Sequence, residues 1–165
     1  MSLLDFYKNK KPNSNGKTLE DILNYDDEQF DTEHDFIQWL FPLPEKSSFN
    51  KDAPLLTPEL IDIFKSDPEI QINLRKSFNK FLDFLGIYME KVLKIKVDRI
   101  WIFQSKWNHN FQRITRVLRC LYLLTSDLCD KFYQYLTEIN KFYNIDKVVF
   151  KYWTDASNGI ITKTL

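Results

Sequence analysis

The chain has 165 residues, of which 44% are hydrophobic and 28% charged, the balance of a folded protein rather than a disordered one. Its 23 basic and 23 acidic residues cancel, so the Lys and Arg excess that drives nucleic-acid binding is missing and nucleic acid is disfavoured as a partner. Aromatic residues make up 16% and glycines number only 3, which argues against Gly-rich phosphate loops and predicts a core heavy in Phe and Tyr.

The N-terminus, MSLLDFYKNKK, has no charged start followed by an apolar core, so no secretory signal is expected; Lys8 to Lys11 reads as a solvated loop ahead of Pro12. Thr18-Leu-Glu-Asp21 places an acid three residues after a hydroxyl, the spacing of a capping box with Asp in place of Glu, and Thr32-Glu-His-Asp35 repeats it. The second box opens HDFIQWLFP, residues 34–42, a short helix ended by Pro42. On it His34 and Gln38 share one face, Asp35 and Trp39 the adjacent one, while Phe36, Ile37, Leu40 and Phe41 are apolar enough to be buried. Residues 43–56 show prolines, Ser47-Ser48 and no periodicity, and are expected to form a loop.

Thr57-Pro58-Glu59 and Asp67-Pro68-Glu69 are two further helix starts, with a capping oxygen followed by proline at the first helical position. From Asp67, Ile70, Leu74, Phe78, Phe81, Leu82, Leu85 and Met89 recur at steps of three and four, the stripe of one long amphipathic helix. Gly86 interrupts it, and the pattern predicts continuation to about Lys94; Lys94 to Ile102 is the one alternating, strand-like run. A helix from about Asn108 to Leu124 buries Ile114, Val117, Leu118, Leu121 and Leu124. After a short gap another starts at the cap Ser126 and buries Leu128, Phe132, Tyr135, Leu136, Ile139 and Phe142, so the two form a helical hairpin. Asp146 caps a last helix carrying Val149, Phe150 and Trp153, and Asn158-Gly159 turns into a tail, 156–165, expected to be loose.

These elements predict an all-α fold, a compact multi-helix domain spanning 1–165 with a long amphipathic central helix and a C-terminal helical hairpin. Arg116, Arg119 and Asp127 interrupt the most apolar region, so no membrane span is expected. Two cysteines, Cys120 and Cys129, and the missing leader point to an intracellular protein, cytoplasmic or nuclear.

On the Asn108 helix, His109, Arg113 and Arg116 fall at i, i+4 and i+7 beside the apolar stripe. Two guanidiniums a turn apart suit a carboxylate or phosphate, and Asn108 and Asn110 add amides at the helix start, where the dipole also favours anions. His34, Asp35, Gln38, Trp39, Asn108, His109, Asn110, Arg113 and Arg116 are therefore the candidate ligand-binding residues. The structural alternative is that the arginines pair with acids such as Asp35 and hold helices together, that Asp35 completes a cap, and that Trp39 packs in the core. No phosphate loop, nucleophile elbow, paired-cysteine zinc pattern or HExxH motif is present, so no catalytic residue, metal or cofactor is assigned. Cys120 and His109 lie eleven helical residues apart, roughly 16 Å, which rules out a dyad within that helix.

The segment HDFIQWLFPL, the capped LTPELIDIFKSDPEI and the later WNHNFQRITRVLRCL resemble, in this order, the conserved N-terminal region of the opioid growth factor receptor family. The resemblance opens near Leu4-Asp5-Phe6-Tyr7, passes Lys11-Pro12 and Leu19-Glu20-Asp21-Ile22, and is sharpest at 34–42 and 108–118. It implies a wholly helical domain and, for the animal receptors of that family, binding of an enkephalin-type peptide and a nuclear or perinuclear role in restraining growth. Those receptors carry long, repeat-containing extensions after this region, and a role that needs such extensions is not expected of residues 1–165. Sequence and resemblance together favour a peptide- or protein-interaction module with an anion-accepting Arg and His surface; an enzyme acting on an anionic substrate is the alternative.

Overall fold

A computed structural model describes residues 2–161, and among these the chain forms ten α-helices and one two-stranded antiparallel hairpin. It divides into two units, residues up to Lys80 and residues from Phe81.

The first unit holds α1 (Ser2–Tyr7), α2 (Leu19–Leu23), α3 (Asp27–Thr32), α4 (Ile37–Leu40), α5 (Pro58–Ser66) and most of α6 (Pro68–Leu85). The helix starts follow the capping chemistry. The Thr18 hydroxyl accepts from the Asp21 N–H while the Asp21 carboxylate accepts from the Thr18 N–H. Thr57 caps α5 through the Leu60 N–H, and Asp67 caps α6 through the Glu69 and Ile70 N–H groups. Thr32 does not cap. The helix before it, α3, is closed at its start by a reciprocal pair, Asp26 with Gln29, and runs through Thr32, whose hydroxyl turns back onto the Glu28 carbonyl. Consequently His34 and Asp35 precede α4 instead of riding on it. The interior is aromatic, as composition requires: Phe6 stands edge-on to Trp39, Tyr7 to Phe64, and Phe30 to Phe36, with centroids 5.3, 5.1 and 4.8 Å apart. The Tyr7 hydroxyl donates to the Leu40 carbonyl, and the Asn73 carboxamide donates to the Tyr7 carbonyl at 2.7 Å, so α1 is tied to α4 and α6. Residues 43–56 form the predicted loop, pinned by the bridge between Leu43 and Leu55.

The second unit starts within α6, which stops at Leu85 rather than near Lys94. Gly86 adopts φ +75°, a left-handed turn in which an added Cβ would lie 2.6 Å from the Cβ of Arg99. The chain reverses there into β1 (Ile87–Met89) and β2 (Leu93–Ile95), registered with Ile87 opposite Ile95. Met89, expected in the helix stripe, is therefore 54% exposed. A 3-10 turn and α7 (Ile100–Gln104) follow. Then come α8 (His109–Leu124), α9 (Ser126–Tyr143) and α10 (Lys147–Ser157), with α8 packed on both α9 and α10. The hairpin of α8 and α9 turns through a single residue, Thr125, so Ser126 is the first residue of α9 and not its cap. Its buried stripe is Leu128, Phe132, Leu136 and Ile139; Tyr135 and Phe142 sit on the flank, and Phe142 is 79% exposed. Asp146 caps α10 as predicted, accepting from the Val148 and Val149 N–H groups. The tail expected from 156 continues α10 to Ser157 and turns at Asn158-Gly159, where the Arg119 guanidinium donates to the Gly159 carbonyl at 2.9 Å; its residues 162–165 lie outside the described ones.

Candidate functional site

In the first unit His34 and Asp35 are exposed, whereas Gln38 and Trp39 are buried in α4. The Asn15 carboxamide donates to the Asp35 carboxylate at 2.5 Å, and that of Asn50 donates to the Gln38 side-chain oxygen and the Asp35 carbonyl, each at 3.3 Å. Asp35 and Gln38 thus anchor two loops. Glu33, His34, Asp35, Phe49 and Asn50 surround a shallow pocket of about 300 Å³. Its Glu33 carboxylate accepts from the Tyr25 hydroxyl at 2.7 Å. Burial, reinforced by that carboxylate, pushes the tyrosine well above its ordinary range. The Trp39 indole N–H is buried and has no hydrogen-bond partner among the described residues.

In the second unit Asn108 caps α8: its side-chain oxygen accepts from the Asn110 N–H at 2.9 Å and its carboxamide donates to the Ile102 carbonyl at 2.8 Å. His109 is half-buried, and Asn110, Arg113 and Arg116 are 0%, 5% and 3% exposed. Arg113 reaches back to the Asn110 side-chain oxygen at 3.4 Å. The sequence candidates accordingly fall into two groups, His34, Asp35, Gln38 and Trp39 in the first unit and the α8 residues in the second.

A pocket that periodicity did not reveal opens on the other side of the α8 start. Its volume is about 590 Å³; Phe111, Gln112 and Thr115 form its floor on α8, and Val148, Val149 and Tyr152 its wall on α10. Lys106 and Trp107, from the loop before α8, and Asp146 complete the rim. Packing beneath it holds the two helices: Trp153, fully buried, donates from its indole to the Phe111 carbonyl at 3.1 Å and meets the Phe111 ring edge-on at 5.5 Å. The Thr115 hydroxyl donates to the same carbonyl. The rim itself is open, with Trp107 57% and Val148 61% exposed. A half-apolar concavity with a few polar groups is the usual form of a ligand site. The sequence signal that existed was WNHNFQ, in which Trp107, Phe111 and Gln112 stand among the candidate residues; what hid the pocket was that its second wall belongs to α10.

A comparably large pocket, about 660 Å³, lies between the hairpin and α9. Its charges are spent on neighbours: Lys94 pairs with Glu90 and Glu138 with Lys141, both at 2.7 Å. Neither cysteine is a ready nucleophile, since burial pushes both thiols up, that of Cys129 to about 12. Among the described residues, no group of three or more His, Cys, Asp or Glu side chains is placed to hold a metal ion, and no helix is long and apolar enough to cross a membrane.

Comparison with known proteins gives one consistent result. The family model described as the opioid growth factor receptor conserved region matches residues 1–155. The human opioid growth factor receptor is 38% identical over 130 residues, 72% of this chain and 19% of the receptor. The rat receptor is 37% identical over 135 residues, covering 73% of this chain and 22% of its own length. The mouse opioid growth factor receptor-like protein 1 is 36% identical over 130 residues, 73% and 28% of the two chains. The chain therefore spans less than a third of the length of these relatives. No solved structure matches.

Proposed function

Since the chain belongs to the family defined by the conserved region of the opioid growth factor receptors, we propose that it is a recognition module for a peptide or a protein segment, and that the pocket between α8 and α10 is where recognition takes place. The single observation that carries this reading is the pocket's build: Trp107 on an open rim, Tyr152 on the α10 wall, a Phe111 floor, and a helix pair held beneath it by Trp153. Aromatic side chains fixed on rigid elements supply large contact area at low entropic cost, the property of interface hot spots. The name of the relatives speaks of receptors for a growth factor of opioid type; binding of such a peptide is carried to this chain as part of the proposal. The free, buried cysteines support a reducing compartment, cytoplasm or nucleus.

The same reading assigns His34, Asp35, Gln38 and Trp39 to holding the first unit together, because Asp35 and Gln38 are engaged by Asn15 and Asn50. The deciding experiment is titration of the isotope-labelled chain with an enkephalin-type peptide and, in parallel, selection from a display library of random peptides. Shifts or enriched peptides that disappear in Trp107→Ala support the proposal. Neither shifts nor enrichment over an unrelated scaffold would sink it.

A further inference from the structure

The α8–α10 pocket carries one ammonium that no group among the described residues engages. Among the described residues Lys106 forms no ion pair, and the Gln112 carboxamide and the Trp107 indole N–H have no protein hydrogen-bond partner. Asp146, the other charged lining residue, spends one carboxylate oxygen on the Val148 and Val149 N–H groups and stands at the positive end of α10, which offsets its charge. The Lys106 ammonium is thus the charge on this rim with no protein partner among the described residues, and the rim surrounds an apolar hole large enough for a bulky side chain.

Resting on the recognition reading above, we infer that the occupant is an internal segment of a protein partner in which a large apolar residue stands close to an Asp or Glu. The apolar side chain fills the space over Phe111 and Val149. The acidic one meets the Lys106 ammonium, and the Gln112 carboxamide pairs with the segment's backbone, since an amide can donate and accept at once. The ion pair lies on an exposed rim, so it sets preference and salt sensitivity, while the apolar residue sets most of the affinity.

The test uses the whole chain and the same display library. Enriched peptides are expected to share an apolar residue flanked by an acid, and synthetic copies should bind about threefold more weakly to Lys106→Ala at low salt, the difference shrinking as salt is raised. Lys106→Glu should turn the selection towards basic flanks. A second variant, Val148→Asp, puts a negative charge on the rim in the first turn of α10, where acids favour the helix; it should keep the melting temperature and lose the acidic peptides. Enriched peptides without an acid preference, or equal binding to the Lys106 variants, would overturn this inference and leave the recognition reading standing. Peptides with free termini and no acid, bound tighter than internal segments, would do the same. A library with no enrichment removes both.

Discussion

Trp153 shows how one side chain can organise a site that it does not line. Its ring fills the space between α8 and α10, with Phe111 and Phe150 edge-on to it, and its N–H is satisfied by the Phe111 carbonyl. Replacing it with Phe keeps the ring contacts and removes that hydrogen bond. The expected loss is about 1 kcal/mol in denaturant unfolding, because a net buried hydrogen bond is worth roughly that and Thr115 still serves the carbonyl. Trp153→Ala should cost about 3–5 kcal/mol, the range for emptying such a space. A Phe variant as damaging as the Ala variant would show that the indole N–H, and not the ring, holds the pair. The arginines give the opposite lesson. Arg113 and Arg116 are the right residue type for an anion, yet both lie inside; spacing within one helix does not encode which other element covers a face.

At the level of elements, capping chemistry proved legible wherever a side-chain oxygen could reach only one set of N–H groups. Thr18, Thr57, Asp67 and Asp146 all cap as their spacing predicts. Thr32 failed because Asp26 and Gln29 form an equally good box six residues earlier, leaving Thr32 inside α3. At Gly86 the apolar stripe continues across the glycine, and it is the left-handed backbone, with Arg99 packed where a Cβ would stand, that ends the helix there. The Asp67 cap has a consequence in acid. The Lys8 ammonium, 2.8 Å away, donates to the Asp67 carboxylate and, with the Ile70 N–H, holds its carboxyl below the usual range. A depressed carboxyl contributes stability that is complete above the unfolded value near pH 4 and disappears as pH falls through the folded one. Asp67→Asn should therefore lose that contribution at neutral pH, together with some of the cap, and show a flatter decline below pH 4, so that variant and parent converge in acid. An unchanged acid slope would contradict the assignment.

For the molecule as a whole, composition announced the aromatic interior, periodicity and caps announced the helical class, and the chain delivers both in each of its units. The pocket proposed for recognition was not legible: none of the nine candidate residues lines it, although Asn108, His109 and Asn110 are sequence neighbours of Trp107, Phe111 and Gln112, and no spacing rule links Phe111 to Val149 across 38 positions. The buried thiols make a statement about global opening. With Cys120 at 0% and Cys129 at 1% exposure, and both pushed up by burial, thiol reagents at neutral pH should react only as the second unit opens. The reaction rate is then expected to follow unfolding as denaturant is raised, and prompt labelling of the native protein would refute it. Their ionisation also drains stability in alkali: a raised thiol favours the folded state below pH 9, and for Cys129 that advantage is lost as pH climbs towards about 12.

The four tryptophans divide into two populations, Trp39 and Trp153 at 3% and 0% exposure and Trp101 and Trp107 at 42% and 57%. The protein consequently carries its own optical gauge. The buried pair should emit at shorter wavelength and resist iodide, while the exposed pair is quenched, and Trp107 stands on the rim of the α8–α10 pocket. A segment that fills the pocket dries one indole of the quenchable pair, so occupancy can be read as a blue shift and a drop in iodide sensitivity, without a label attached to either partner.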